Sequence, residues 1–118
     1  MTQKKVGSGR KLFSITKRGE RALKDWLRSP IEPTDIAKKV EILLLRFAFM
    51  EDLVDHEETV RFLESFRDKT KLYIKELKEF HSNSGRDMKQ HGRRAFEYGI
   101  ESYQTTLRWI TKTLKTIK

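Results

Sequence analysis

The stretch Val40–Leu53, VEILLLRFAFMEDL, decides how this chain folds. Ile36, Val40, Leu43, Phe47, Met50 and Val54 recur at alternating steps of four and three residues, the spacing that keeps apolar side chains on one face of an α-helix. Ile42, Leu44, Leu45, Phe49 and Leu53 widen the stripe until the helix is apolar on most sides. Such a helix belongs at the centre of a bundle, covered partly by the chain's own helices and partly by another subunit. It is expected to start near Thr34 or Asp35, and Arg46 breaks its apolar run.

Downstream, a break near Asp55-His56 precedes an expected helix over about 57–81, with Val60, Phe62, Leu63, Phe66, Tyr73, Leu77 and Phe80 turned inward. Ser82–Asp87, SNSGRD, reads as a turn. In the last helix Phe96, Ile100, Tyr103, Leu107, Ile110, Leu114 and Ile117 again alternate steps of four and three, a seam long enough for coiled-coil-like packing. Tyr98 and Trp109 fall off that seam.

Upstream, Ser29-Pro30 and Pro33 form a stiff linker, because the residue before a proline is pushed out of the helical region. Before it, Ala22, Leu23, Trp26 and Leu27 mark a helix over about 17–27, with Thr16 as its N-cap. Gly7 and Gly9 bound a tight turn, and Phe13 and Ile15 lie on one face at period two. A β-hairpin pairing 2–6 with 11–15 is therefore expected, and it needs a neighbour to lean on because an isolated hairpin is marginal in water. The expected fold class is mainly α: an N-terminal β-hairpin followed by long antiparallel helices that form a dimerisation bundle.

Composition agrees with amphipathic helices, since apolar and charged residues each make up 36% of the 118 residues. The net charge is +9, and residues 1–28 alone carry nine basic against two acidic side chains. A basic block of this kind suits a polyanion such as nucleic acid or an anionic membrane surface, or serves simply as a solvated face. Lys4, Lys5, Ser8, Arg10 and Lys11 surround the glycine turn, where side chains and backbone N–H groups can approach phosphates.

The absence of cysteine excludes disulfides and thiol chemistry. No apolar run approaches a membrane span and there is no signal core at the N-terminus, so a soluble, cytoplasmic protein without membrane contact is expected. His56, His81 and His91 are scattered, and His56-Glu57-Glu58 is accounted for by acidic residues at a helix start. Ser8, Ser14 and Ser29 have no nucleophile-elbow context, and GSG is too short for a phosphate loop. No catalytic residue, metal ligand or cofactor is assigned, and no enzyme is expected. Tyr73, Phe80, Phe96, Tyr98, Tyr103 and Trp109 read as core and interface residues, with a pocket for a planar ligand as the competing reading.

GSGRKLFSITKRGERALKDWL, residues 7–27, resembles the wing and following helix of PadR-family transcriptional regulators, with Gly9, Arg10, Phe13, Ile15, Thr16, Gly19, Leu23, Trp26 and Leu27 in the family's order. VEILLLRFAFMEDL is similar to the first helix of the family's C-terminal dimerisation region. FEYGIESYQTTLRWI, residues 96–110, resembles its last helix through Tyr98, Gly99, Ile100, Tyr103, Leu107 and Trp109. The resemblance implies a partial winged-helix domain over 1–28 and a helical dimerisation domain over 34–118.

Family members carry about three helices ahead of the wing, including the one that reads the major groove. Here Met1 stands where the first wing strand begins, so the resemblance implies weak, phosphate-directed DNA contact through wing residues Lys5, Ser8, Arg10 and Lys11 alone. It implies a homodimer whose interface is built from Ile36, Val40, Leu43, Phe47, Ile100, Tyr103, Leu107, Ile110 and Leu114, and it leaves room for an aromatic small-molecule effector. A module that pairs with a full-length relative without touching DNA is the alternative reading.

Overall fold

The computed structural model describes residues 16–118. Helix α1, Lys17–Arg28, starts as expected at Thr16, whose Oγ1 accepts from the Gly19 N–H at 2.9 Å. After the proline linker come a short helix α2, Pro33–Lys38, and the central helix α3, Val40–Leu53. The single helix expected from 34 to 54 is thus broken at Lys39, whose φ of −135° and ψ of 34° leave the helical region. Heptad spacing survives a break of this kind, because both pieces still turn Ile36 and Leu43 into one core.

Helix α4, His56–Ser84, is set by Asp55. Its carboxylate accepts from the Glu58 N–H at 2.8 Å while the Glu58 carboxylate accepts from the Asp55 N–H at 3.3 Å. The chain continues helical through Ser84, reverses in a 3-10 turn at Gly85–Asp87, and returns as α5, Gln90–Ile117. The pairs Tyr73–Tyr103 and Phe80–Phe96 show that α4 and α5 run antiparallel. Lys118 closes the far end on Glu64 at 3.0 Å.

Among the described residues every regular element is helical, with neither strand nor sheet. The mixed architecture expected from the sequence is corrected to an all-helical one: mainly α holds, and the hairpin-bearing fold class does not. The apolar residues of the described segments repeat at three and four, the period of helices and not of strands. The segment on which that hairpin was expected, 2–15, lies outside the described residues.

One core runs through all five helices or their linkers: Leu27, Ile31, Ile36, Leu43, Met50, Phe62, Leu63, Phe66, Ile110 and Leu114 are all buried in it. Leu27 and Ile31 bring α1 and the proline linker into the same core as the bundle. The molecule is long, 56 × 30 × 23 Å.

Candidate functional site

Helix α3 holds two opposed surfaces. Leu43, Arg46 and Met50 point inward and are buried. Ile42, Leu45, Phe49 and Asp52, spaced by three and four residues, share the outer face, with Ala48 and Glu41 beside them and Leu44 next to those. Ile42 is 43% exposed, Leu45 47% and Phe49 39%, an unusual load of apolar surface for a helix that also contributes three buried side chains.

The apolar face extends sideways onto neighbouring helices. Trp26 of α1 and Ile42 line one cleft of about 300 Å³, together with Leu43 and Arg46. On the other side Phe47 meets the ring of Trp109 edge to face, 5.6 Å between centroids. Trp26 and Trp109 are both more than a third exposed, so the face ends in a large aromatic ring on each flank. Charged side chains bracket it along its length. Lys38 and Lys39 stand at the amino end of α3, and Glu51 and Asp52 at its carboxyl end, all exposed.

Arg46 anchors the face from below. Its guanidinium donates to the Leu27 carbonyl at 3.0 Å and to the Ser29 carbonyl at 2.5 Å, two of the carbonyls left open where α1 ends. It also lies over Trp26 at 5.8 Å and Phe62 at 5.1 Å. Burial pulls its pKa below the usual arginine range, with Asp35 opposing the shift, and its buried Nε has no partner. A second ionic contact ties α1 to the start of α4: Arg28 donates to both Glu58 carboxylate oxygens, at 2.6 and 3.2 Å.

The residues expected at a dimer interface are distributed differently from the outer face. Ile36, Leu43, Ile100, Ile110 and Leu114 are buried within the single chain, so their apolar surface is already covered. Val40, Phe47 and Tyr103 are half-buried against the same core, and Leu107 is half-buried on α5. Tyr103 donates to the Ala37 carbonyl at 2.9 Å, fixing α5 to α2. The heptad stripes therefore form the internal seam, and the residues that merely widened the α3 stripe form the open surface. Their signal was in the sequence, in the excess of apolar residues over one stripe. Arg46 was legible there only as an interruption.

The residues expected to meet DNA, Lys5, Ser8, Arg10 and Lys11, lie outside the described residues. Helix α1 carries Lys17, Arg18 and Arg21 on exposed positions. Among the described residues no cluster of three or more histidine, aspartate or glutamate side chains could hold a metal ion, and no helix is long and apolar enough to cross a membrane. Of the aromatics considered for a ligand pocket, Tyr73 pairs with Tyr103 at 4.9 Å and Phe80 with Phe96 at 5.5 Å, and Phe80 and Tyr98 are exposed.

Comparison with protein-family models, with curated proteins and with solved structures yields no match.

Proposed function

We propose that this chain is the homodimerising helical part of a PadR-like transcriptional regulator, working in the cytoplasm. The observation that carries the reading is the outer face of α3, where Ile42, Leu44, Leu45 and Phe49 lie open on a helix whose opposite side is core. Covering that face with a second copy removes apolar surface from water, the main driving force for association. Pairing two chains in this way sets the separation of two DNA-contacting ends, which is what a dimeric regulator requires of its body. The sequence resemblance of 7–27, 40–53 and 96–110 supplies the regulatory role. The exposed cations Lys17, Arg18 and Arg21 of α1 add positive surface next to the basic N-terminal segment, and they suit phosphate contact that weakens steeply with salt.

Light scattering at micromolar concentration tests the dimer: the expected mass is about 28 kDa, twice the 14.1 kDa chain. Phe49→Glu, which places a carboxylate in the middle of the face, is expected to return the monomer mass while leaving helical content unchanged. A wild-type chain that stays at the monomer mass throughout that concentration range would sink the proposal. Binding to duplex DNA, followed by anisotropy between low and physiological salt, tests the nucleic-acid part. Affinity independent of salt would count against it.

A further inference from the structure

The geometry points to one particular occupant for the outer face of α3: the same helix of a second copy, lying antiparallel across a two-fold axis that passes beside Leu45. This inference rests on the dimer reading above and specifies its interface. Three observations carry it. The face is self-complementary about its midpoint, since Leu45 has Ile42 and Phe49 at nearly equal distances along the helix on either side. Antiparallel pairing centred there sets Ile42 against the partner's Phe49 and Leu45 against the partner's Leu45, so the exposed apolar side chains of this face cover one another.

The charges give the direction. Lys38 and Lys39 outnumber Glu41 at one end of the face and Glu51 and Asp52 lie at the other, and among the described residues no ion pair engages Lys38, Lys39, Glu51 or Asp52. Antiparallel packing brings the cationic end of each helix to the acidic end of its partner, with Lys39 just ahead of the first turn of α3 and Asp52 in its last turn. Parallel packing would put lysine against lysine and carboxylate against carboxylate, a repulsion that discriminates against that arrangement. The helix dipoles favour the same direction, because the positive amino end of each α3 meets the negative carboxyl end of the other.

The size is adequate. Ile42, Leu44, Leu45 and Phe49 with the flanking Trp26 and Trp109 expose on the order of 500 Å² of side-chain surface per chain. The charged ends bring the patch towards the roughly 800 Å² that each partner of a standard interface buries.

Cysteine cross-linking tests the register, and the chain suits it because it has no cysteine of its own. Leu45→Cys places two thiols beside the axis, within the Cα separation of under about 7 Å that a disulfide requires. Asp52→Cys places its two thiols about 21 Å apart along the helix, seven residues either side of the axis at about 1.5 Å each, too far to bridge. The expected result is a covalent dimer from Leu45→Cys under mild oxidation and none from Asp52→Cys. Ready cross-linking of Asp52→Cys indicates parallel pairing and overturns the inference. A chain that is dimeric by light scattering but fails to cross-link through Leu45→Cys overturns the register alone and leaves the dimer standing. A monomeric wild type overturns both.

Discussion

Replacing Arg46 by Met tests whether the one buried charge of α3 clasps α1 to the bundle. The two charge-assisted bonds to the Leu27 and Ser29 carbonyls contribute about 1.5–3 kcal/mol each before offsets. The contacts with Trp26 and Phe62 add about 0.5–2 kcal/mol. Against this stands the cost of burying a guanidinium, on the order of several kcal/mol, here increased by an Nε with no partner. Methionine removes the charge and that cost together and keeps most of the packed volume, but it strands the Leu27 carbonyl in the interior at a cost of about 1–3 kcal/mol. The net loss should be about 2–3 kcal/mol, a fall in Tm of roughly 10–20 °C for a domain of this size.

Urea unfolding followed by far-ultraviolet circular dichroism measures it, at one fixed protein concentration because association adds to apparent stability. Arg46→Lys should lie between wild type and Arg46→Met, since an ammonium can donate to a carbonyl but lacks the planar fork that serves two carbonyls and two rings. In a Trp109→Phe background the emission of Trp26 should also change on Arg46→Met. A loss below about 0.5 kcal/mol would refute the clasp, placing Arg46 among ordinary surface-like substitutions.

Thr70 is fully buried on α4 and its hydroxyl has no hydrogen-bond partner, so Thr70→Val should raise stability by about 1 kcal/mol, read from the urea midpoint at unchanged slope. Tyr103→Phe should cost about 1 kcal/mol by leaving the Ala37 carbonyl without its donor, again read by urea unfolding. Glu58 is held below its ordinary carboxylate range first by the hydrogen bond from Arg28 and then by the Asp55 N–H. A depressed folded-state value means that its contribution is complete above about pH 5 and fades as pH falls through the group's own lower value, so Glu58→Gln should flatten the acid limb of stability against pH. Reversing Glu51 and Asp52 to lysine should weaken the dimer tenfold or more at low salt, and adding Lys38→Glu and Lys39→Glu should restore it, both measured by sedimentation equilibrium.

The helical positions were legible because each rests on local chemistry. Thr16 caps α1, Asp55 and Glu58 cap α4, and Ser29-Pro30 with Pro33 ends one helix and opens the next, all through groups within a few residues of one another. The break at Lys39 was not legible, since apolar periodicity continues across it and no glycine or proline marks it. The turn at Ser82–Asp87 was seen, but α4 extends through Ser84 before the chain reverses.

The sequence by itself determined which residues are apolar, where they repeat, and that α3 carries more of them than one neighbour can cover. Only the tertiary structure decided which neighbour takes which side. The heptad stripes of α3 and α5 became the internal core, because α4 and α5 pack along them within one chain and bury Leu43, Ile110 and Leu114. The surplus residues Ile42, Leu45 and Phe49 were thereby left outside. Arg46 shows the same division. Its position in an apolar run is written in the sequence, but its role depends on where α1 ends in space, because two carbonyls 17 and 19 residues away are what make a buried guanidinium tolerable.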